Sequence, residues 1–153
     1  MITIEQSFDV LKIENQISFL LYASSREVIK QYKPFLDEMD LTYTQYIVMM
    51  VLWEQDEITV KELGDALYLD SGTLTPLLKK LENKGYIKRN RSRKDERNLL
   101  LRVTEQGAAL KGKAMEMAGL ILKHTMLTEN EIDTLYTLLH KVLDRMEGKN
   151  GTE

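Results

Sequence analysis

Leu69-Asp70-Ser71-Gly72-Thr73-Leu74-Thr75-Pro76-Leu77-Leu78-Lys79-Lys80-Leu81-Glu82-Asn83-Lys84-Gly85 organises the chain around it. Polar cap candidates at Asp70 and Ser71, lysines in the last turns and a glycine stop at Gly85 predict one helix. Leu74, Leu77, Leu78 and Leu81 recur at offsets of three and four, giving a single apolar stripe that must lie on a core. The opposite face carries Ser71, Thr73, Thr75, Lys79 and Lys80, short donors and cations suited to base edges and phosphates. Pro76 falls late for a first-turn proline, and nothing in the sequence explains it.

Downstream, residues 86–91, a polar tip Ser92-Arg93-Lys94-Asp95-Glu96 and residues 97–103 read as a two-stranded hairpin with a basic tip. Helix followed by basic hairpin is the layout of a winged helix-turn-helix, which points to DNA. Residues 79–103 hold ten basic against three acidic side chains, a local charge of +7 in a chain of net charge −3. The remainder therefore carries −10. Composition alone would dismiss nucleic acid, but one basic element on an acidic body aims a single face at phosphates. A charge run by itself fits a solvated hairpin equally well; the preceding helix is what favours DNA.

The 153 residues suit one domain, or one domain with oligomerising extensions, and 43% hydrophobic content with only two prolines and eight glycines supports a packed core. The longest apolar run, residues 46–53, is far shorter than the ~20 residues that span a bilayer. Met1-Ile2-Thr3-Ile4-Glu5 lacks the cationic start and apolar core of a signal peptide. The expectation is a soluble, cytoplasmic protein with no membrane partner. Absence of cysteine excludes disulfides, thiolate metal sites and cysteine redox chemistry in this chain.

Residues 1–10 are uninformative and read as a lead-in. Residues 11–32 favour helix, with Leu11, Ile17, Leu20, Leu21, Ala23, Val28 and Tyr32 apolar on more than one face, as for packing against a second subunit or inside a larger body. Pro34 is expected to end that helix, a short one over 34–39 following. Three threonines mark helix starts with Gln or Glu three residues on: Thr42 with Gln45, Thr59 with Glu62, and Thr128 with Glu131. The first opens a helix through Trp53 that is apolar nearly all round, hence central. The second opens residues 60–68, with Val60, Leu63 and Leu67 facing inward, and residues 69–71 allow only a tight turn before the next helix. Thr104 caps a long helix expected over 105–126, whose Gly107, Gly112 and Gly119 make it dependent on tertiary packing. In the last helix, 129–147, Ile132, Leu135, Leu139, Val142 and Met146 form a heptad seam. It pairs across a dimer or, alternatively, within the chain. Residues 148–153 read as a flexible tail.

The order of elements, Asp95-x-Arg97 at the hairpin tip and Leu81-Glu82-x-x-Gly85-Tyr86-Ile87 after the helix resemble the MarR family of dimeric winged-helix regulators. Glu14-Asn15-Gln16, residues 21–27, Tyr32-Lys33-Pro34, Leu41-Thr42-Tyr43-x-Gln45-Tyr46, Leu52-Trp53-Glu54 and residues 67–79 are similar to its organic-hydroperoxide-sensing (OhrR-type) branch. The likeness is strong over 11–107 and only a pattern beyond. It implies a mainly α fold (α+β winged helix), with a DNA-binding lobe over 42–104 and dimerisation helices over 11–33 and 105–147 of a single 1–153 unit. It implies a homodimer that represses a gene by binding a pseudo-palindromic operator in double-stranded DNA. The helix over 71–84 would enter the major groove with Asp70, Ser71, Thr73 and Thr75 near its reading end, each subunit reading one half-site. Arg97 would reach into the minor groove, or brace the hairpin through Asp95, or both. Arg89, Arg91, Arg93 and Lys94 would hold phosphates.

The resemblance also implies a sensor: a peroxide-reactive cysteine at the position where this chain has Ser18, with Tyr22, Tyr32 and Tyr43 around it. A thiolate attacks peroxide and becomes a sulfenic acid; a serine hydroxyl does not, so this chain is expected to be redox-inert at that position. Ser18 is either an engineered replacement or the residue of a natural cysteine-free relative, and its plain reading is a helix serine bonded to its own backbone. The alternative function is release from DNA by a phenolic or apolar ligand near Phe19, Tyr22, Tyr32 and Tyr43. An enzyme finds little support. His124 and His140 lack metal-ligand spacing, no phosphate loop or serine-nucleophile motif occurs, and Met49-Met50 and Met115/Met117 read as core. No catalytic residue, metal or cofactor is expected. A purely structural helical dimer would leave the basic hairpin unexplained.

Overall fold

The computed structural model describes residues 9–95 and 97–146, except the side chain of Leu122. The lead-in over 1–8, Glu96 at the hairpin tip, Glu147 and the tail lie outside the described residues. A 3₁₀ turn, Ile13–Asn15, precedes α1 (Ile17–Glu38). The chain continues as α2 (Tyr43–Glu54), β1 (Ile58–Thr59), α3 (Val60–Leu67), α4 (Ser71–Asn83), β2 (Ile87–Arg91), β3 (Leu99–Val103), α5 (Glu105–Ala109), α6 (Lys111–His124) and α7 (Glu129–Met146).

Capping chemistry sets these starts as the sequence predicts. Thr42 Oγ1 accepts from the Gln45 N–H at 3.3 Å while Gln45 Oε1 accepts from the Thr42 N–H at 3.0 Å. Thr59 and Glu62 repeat the reciprocal pair, as do Thr128 and Glu131. α2 is central: Val48, Met49 and Leu52 are fully buried among α1, α3, α4 and β3. The Leu74, Leu77, Leu78 and Leu81 stripe of α4 lies on that core. Between α3 and α4, Tyr68 takes a left-handed conformation (φ 56°) and the turn folds back on the helix. A Cβ on Gly64 would sit 2.7 Å from the Leu69 carbonyl oxygen, so only glycine permits that approach.

The structure corrects three expectations. First, α1 begins at Ile17, after the 3₁₀ turn, and runs through Pro34 without a break. The missing N–H and the ring's crowding of the previous turn cost about 3 kcal/mol. Burial of Leu36 and Met39 just beyond, each worth roughly 1.5–3 kcal/mol, offsets it, and Lys33–Asp37 spans the proline at 2.9 Å. Secondly, the hairpin is part of a three-stranded antiparallel sheet in the order β1-β3-β2, with Ile58 opposite Leu101 and Arg89 opposite Leu101 on the other side. A two-residue strand leaves no alternation to read. Thirdly, the long helix expected after Thr104 is divided at Leu110 into α5 and α6, because α5 is pinned to the sheet. The Thr104 N–H donates to the Tyr86 carbonyl at 3.0 Å and Thr104 Oγ1 to that of Gly85. Pro76 lies inside α4, within the single helix the sequence predicts.

No described residue of α7 is buried; Leu135, Leu139 and Val142 are 36–45% exposed and Met146 is 83% exposed. The heptad seam is therefore not covered within the chain. The N-terminal half of α1 is similarly uncovered, with Ile17, Leu20 and Leu21 exposed.

Candidate nucleic-acid interface

Asp70 caps α4: its Oδ1 accepts from the Thr73 N–H at 2.7 Å, and these backbone bonds hold its carboxyl below the usual aspartate range. The Thr75 hydroxyl donates to the Ser71 carbonyl at 2.7 Å, leaving its lone pairs and methyl group outward. Ser71, Thr73, Lys79 and Lys80 are exposed along the same face. The helix thus presents an N-terminal end of short polar groups and a later turn of cations.

The hairpin tip is stitched by short-range bonds. The Ser92 N–H donates to the Asn98 carbonyl at 2.8 Å, Ser92 Oγ accepts from the Lys94 and Asp95 N–H groups, and Asp95 Oδ1 accepts from the Arg97 N–H at 3.1 Å. Arg97 Nε stands 3.9 Å from Asp95 Oδ1 with the side chain 94% exposed. Asp95 therefore shapes the turn chiefly through the backbone, and the guanidinium projects outward. Ser71, Thr75, Arg97 and Asn98 line one cleft of about 460 Å³ between α4 and the hairpin, with Lys61 of α3 on its wall. Arg91, Arg93 and Lys94 are exposed on the hairpin.

Arg89 is set apart from the exposed cations of the hairpin. Alternation along β2 turns its side chain toward α4, where a terminal guanidinium nitrogen donates to Glu82 Oε1 at 2.9 Å. Sequence reasoning missed Glu82 because a helix-to-strand ion pair has no local signature.

The five expected sensor residues do not form one pocket within a chain. Tyr32 and Tyr43 have ring centroids 5.3 Å apart, and Tyr46 joins them at 5.8 and 6.2 Å. Trp53 extends the cluster, 6.3 Å from Tyr46. Burial pushes all three phenols above the ordinary tyrosine range, so they stay neutral donors. Tyr46 and Trp53 were missed, although their offsets of three and ten from Tyr43 put them on the same helix flank. Ser18 lies fourteen residues before Tyr32 in the unbroken α1, about 21 Å along its axis. Phe19 and Tyr22 are exposed beside Ser18, and Arg26 donates to the Tyr22 hydroxyl at 3.0 Å.

Residues 30–114 match the family described as Transcriptional regulator SarA/Rot. The chain is 49% identical to the organic hydroperoxide resistance transcriptional regulator of Bacillus subtilis (strain 168), covering 95% of this chain and 99% of that one. It belongs to the MarR/SarA-type family of winged-helix transcriptional regulators. Another relative in the family is the HTH-type transcriptional regulator SarZ of Staphylococcus aureus (strain USA300), 44% identical over 87% of this chain and 90% of that one. Among solved structures of the family, reduced AbfR bound to DNA superimposes with a TM-score of 0.75 at 30% identity, covering 92% of this chain and 99% of that one. The winged-helix fold and the mainly helical class read from the sequence stand. So does the assignment as a transcriptional regulator. Among the described residues no helix is long and apolar enough to cross a membrane.

Proposed function

We propose that two copies of this chain bind a pseudo-palindromic operator in double-stranded DNA and repress a gene of the organic hydroperoxide response. The observation that carries this is the shared cleft: the polar end of α4 and the exposed Arg97 flank one opening, so a single duplex can meet both. α4 enters the major groove with Asp70, Ser71, Thr73 and Thr75 at the end toward the bases. Lys79 and Lys80, with Arg91, Arg93 and Lys94 of the hairpin, meet phosphates, and Arg97 enters the adjacent minor groove. AbfR bound to DNA and a MarR complexed with operator DNA, similar folds at 30% and 29% identity, support the mode. The chain acts by binding, not catalysis.

The exposed seam of α7 and the N-terminal half of α1 are the surfaces a second copy covers. The lobe over 42–104 then reads DNA while the flanking helices set half-site spacing. Dimerisation also accounts for the split sensor residues. With Ser18 about 21 Å from Tyr32 in its own helix, a pocket containing both assembles only if α1 of one copy places Ser18 against Tyr32 and Tyr43 of the other. At that position a hydroxyl gives no sulfenic acid, so the chain stays on DNA when hydroperoxide is present.

The test is fluorescence anisotropy with the duplex upstream of the protein's own gene, against a scrambled duplex, across a salt series. Two protomers per site and a clear preference for the upstream duplex are expected. Equal affinity for both duplexes at every salt concentration refutes the reading. Ser18→Cys should add release by an organic hydroperoxide that the unaltered chain lacks; a variant that stays bound under oxidant refutes the pocket.

A further inference from the structure

Glu82 lies in the last turns of α4, eleven residues beyond Ser71 and so about 16 Å along the axis from the reading end. It is too far to touch the bases that Ser71 addresses, yet both of its carboxylate oxygens are committed. Oε1 accepts from the Arg89 guanidinium at 2.9 Å and Oε2 from the Arg89 backbone N–H at 3.2 Å. That second bond is informative. β2 is the edge strand of the sheet, bonded only to β3, so its outward N–H groups face no further strand. The Glu82 carboxylate takes the place of that missing strand at Arg89. These bonds hold its carboxyl below the usual glutamate range, the guanidinium contributing most.

The guanidinium is equally committed. Its Nε is buried without a hydrogen-bond partner, and the pair is shielded, with side chains 23% and 35% exposed against 94% and 52% for Arg97 and Asp95. Swinging Arg89 out to a phosphate would strip Glu82 of its cation and break one of the two bonds of the clamp. Only residues 83–86 separate Glu82 from the start of β2, so this clamp sits at the joint between helix and hairpin.

We propose that Glu82 is a positioning residue for DNA reading. By gripping both the side chain and the backbone of Arg89, it fixes the angle of the hairpin to α4, so that Arg97 and the Ser71 end reach adjacent grooves together. This rests on the DNA reading given above. A clamp that sets mutual geometry acts on specific complexes, where both elements must fit at once, and spares non-specific ones, where phosphates are met in any register.

The experiment compares Glu82→Gln and Glu82→Ala with the unaltered protein for binding to the upstream and scrambled duplexes, with hydroxyl-radical footprints of each complex. Glu82→Ala should lower affinity for the upstream duplex about tenfold or more, with non-specific affinity and salt slope within about twofold. Minor-groove protection by the hairpin should fade while protection under α4 persists. Glu82→Gln, which keeps an acceptor for the backbone N–H, should fall between. Specific and non-specific affinity dropping together, or an unchanged footprint, overturns the proposal. Should Glu82→Ala unfold, the reversed pair Glu82→Arg with Arg89→Glu is read instead, and its failure to recover specificity above Glu82→Gln counts against the clamp. An unaltered protein with no preference for the upstream duplex removes the DNA reading itself, and the clamp with it.

Discussion

Replacing Gly107 by alanine tests the packing of α5 on the helix-to-hairpin joint. A Cβ there would stand 2.2 Å from the Tyr86 carbonyl oxygen, 2.8 Å from Val103 Cγ2 and 3.0 Å from Met49 Cε. The first neighbour is backbone of the helix-to-hairpin joint and cannot step aside. Relief to an ordinary carbon–oxygen contact of about 3.3 Å requires α5 to withdraw by roughly 1 Å. That movement stretches two bonds at once: Trp53 Nε1–H to the Gly107 carbonyl, 2.9 Å, and the Gly107 N–H to Thr104 Oγ1, 3.0 Å. Overpacking costs about 1–3 kcal/mol and each weakened bond about 0.5–1.5, against at most about 1 regained in helix propensity. The net expectation is a loss of about 2–4 kcal/mol, or a urea midpoint lowered by about 1–2 M. Trp53 is the only tryptophan, so its emission follows unfolding directly at fixed protomer concentration. Gly112→Ala is the control, since a Cβ there meets nothing within 4 Å and should be neutral or slightly stabilising. If Gly107→Ala matches that control, the close approach of α5 to Tyr86 is wrong.

Arg97→Ala should weaken binding to the upstream duplex by about 1–3 kcal/mol in anisotropy titrations while leaving the melting temperature unchanged. Its side chain is 94% exposed and its ion pair is 3.9 Å long, so folding loses little. Lys94→Ala should weaken binding to all sequences alike and reduce the log K against log salt slope by about 0.9. Tyr32, Tyr43 and Tyr46 have raised values, so the stability they lend is fully present below pH ~10 and fades as pH rises through their folded values. Thermal melts from pH 8 upward should show that decline, flattened in Tyr43→Phe. The depressed carboxyls of Glu62, Asp70 and Glu131 act oppositely: their contribution is present above the unfolded values near pH 4 and is lost as pH falls below. Asp70→Asn should blunt that acid loss.

Features made by near neighbours in the chain were legible in the sequence. Asp70, the leucine stripe and Gly85 define α4; Thr42, Thr59 and Thr128 define three further starts; the basic run between 86 and 103 defines a hairpin. In each case the residues that make the structure lie within a turn or two of one another, so their spacing carries the message. Tertiary structure alone decided the rest. Pro34 sits inside a helix because Leu36 and Met39 find a core contributed from elsewhere, and Ile58 becomes a strand because Leu101 lies opposite. Arg89 faces Glu82 and not solvent because β2 folds back along α4. These outcomes turn on contacts between residues distant in the chain. The energy of such contacts exceeds a proline's penalty or a side chain's intrinsic preference, and no spacing along the chain records it.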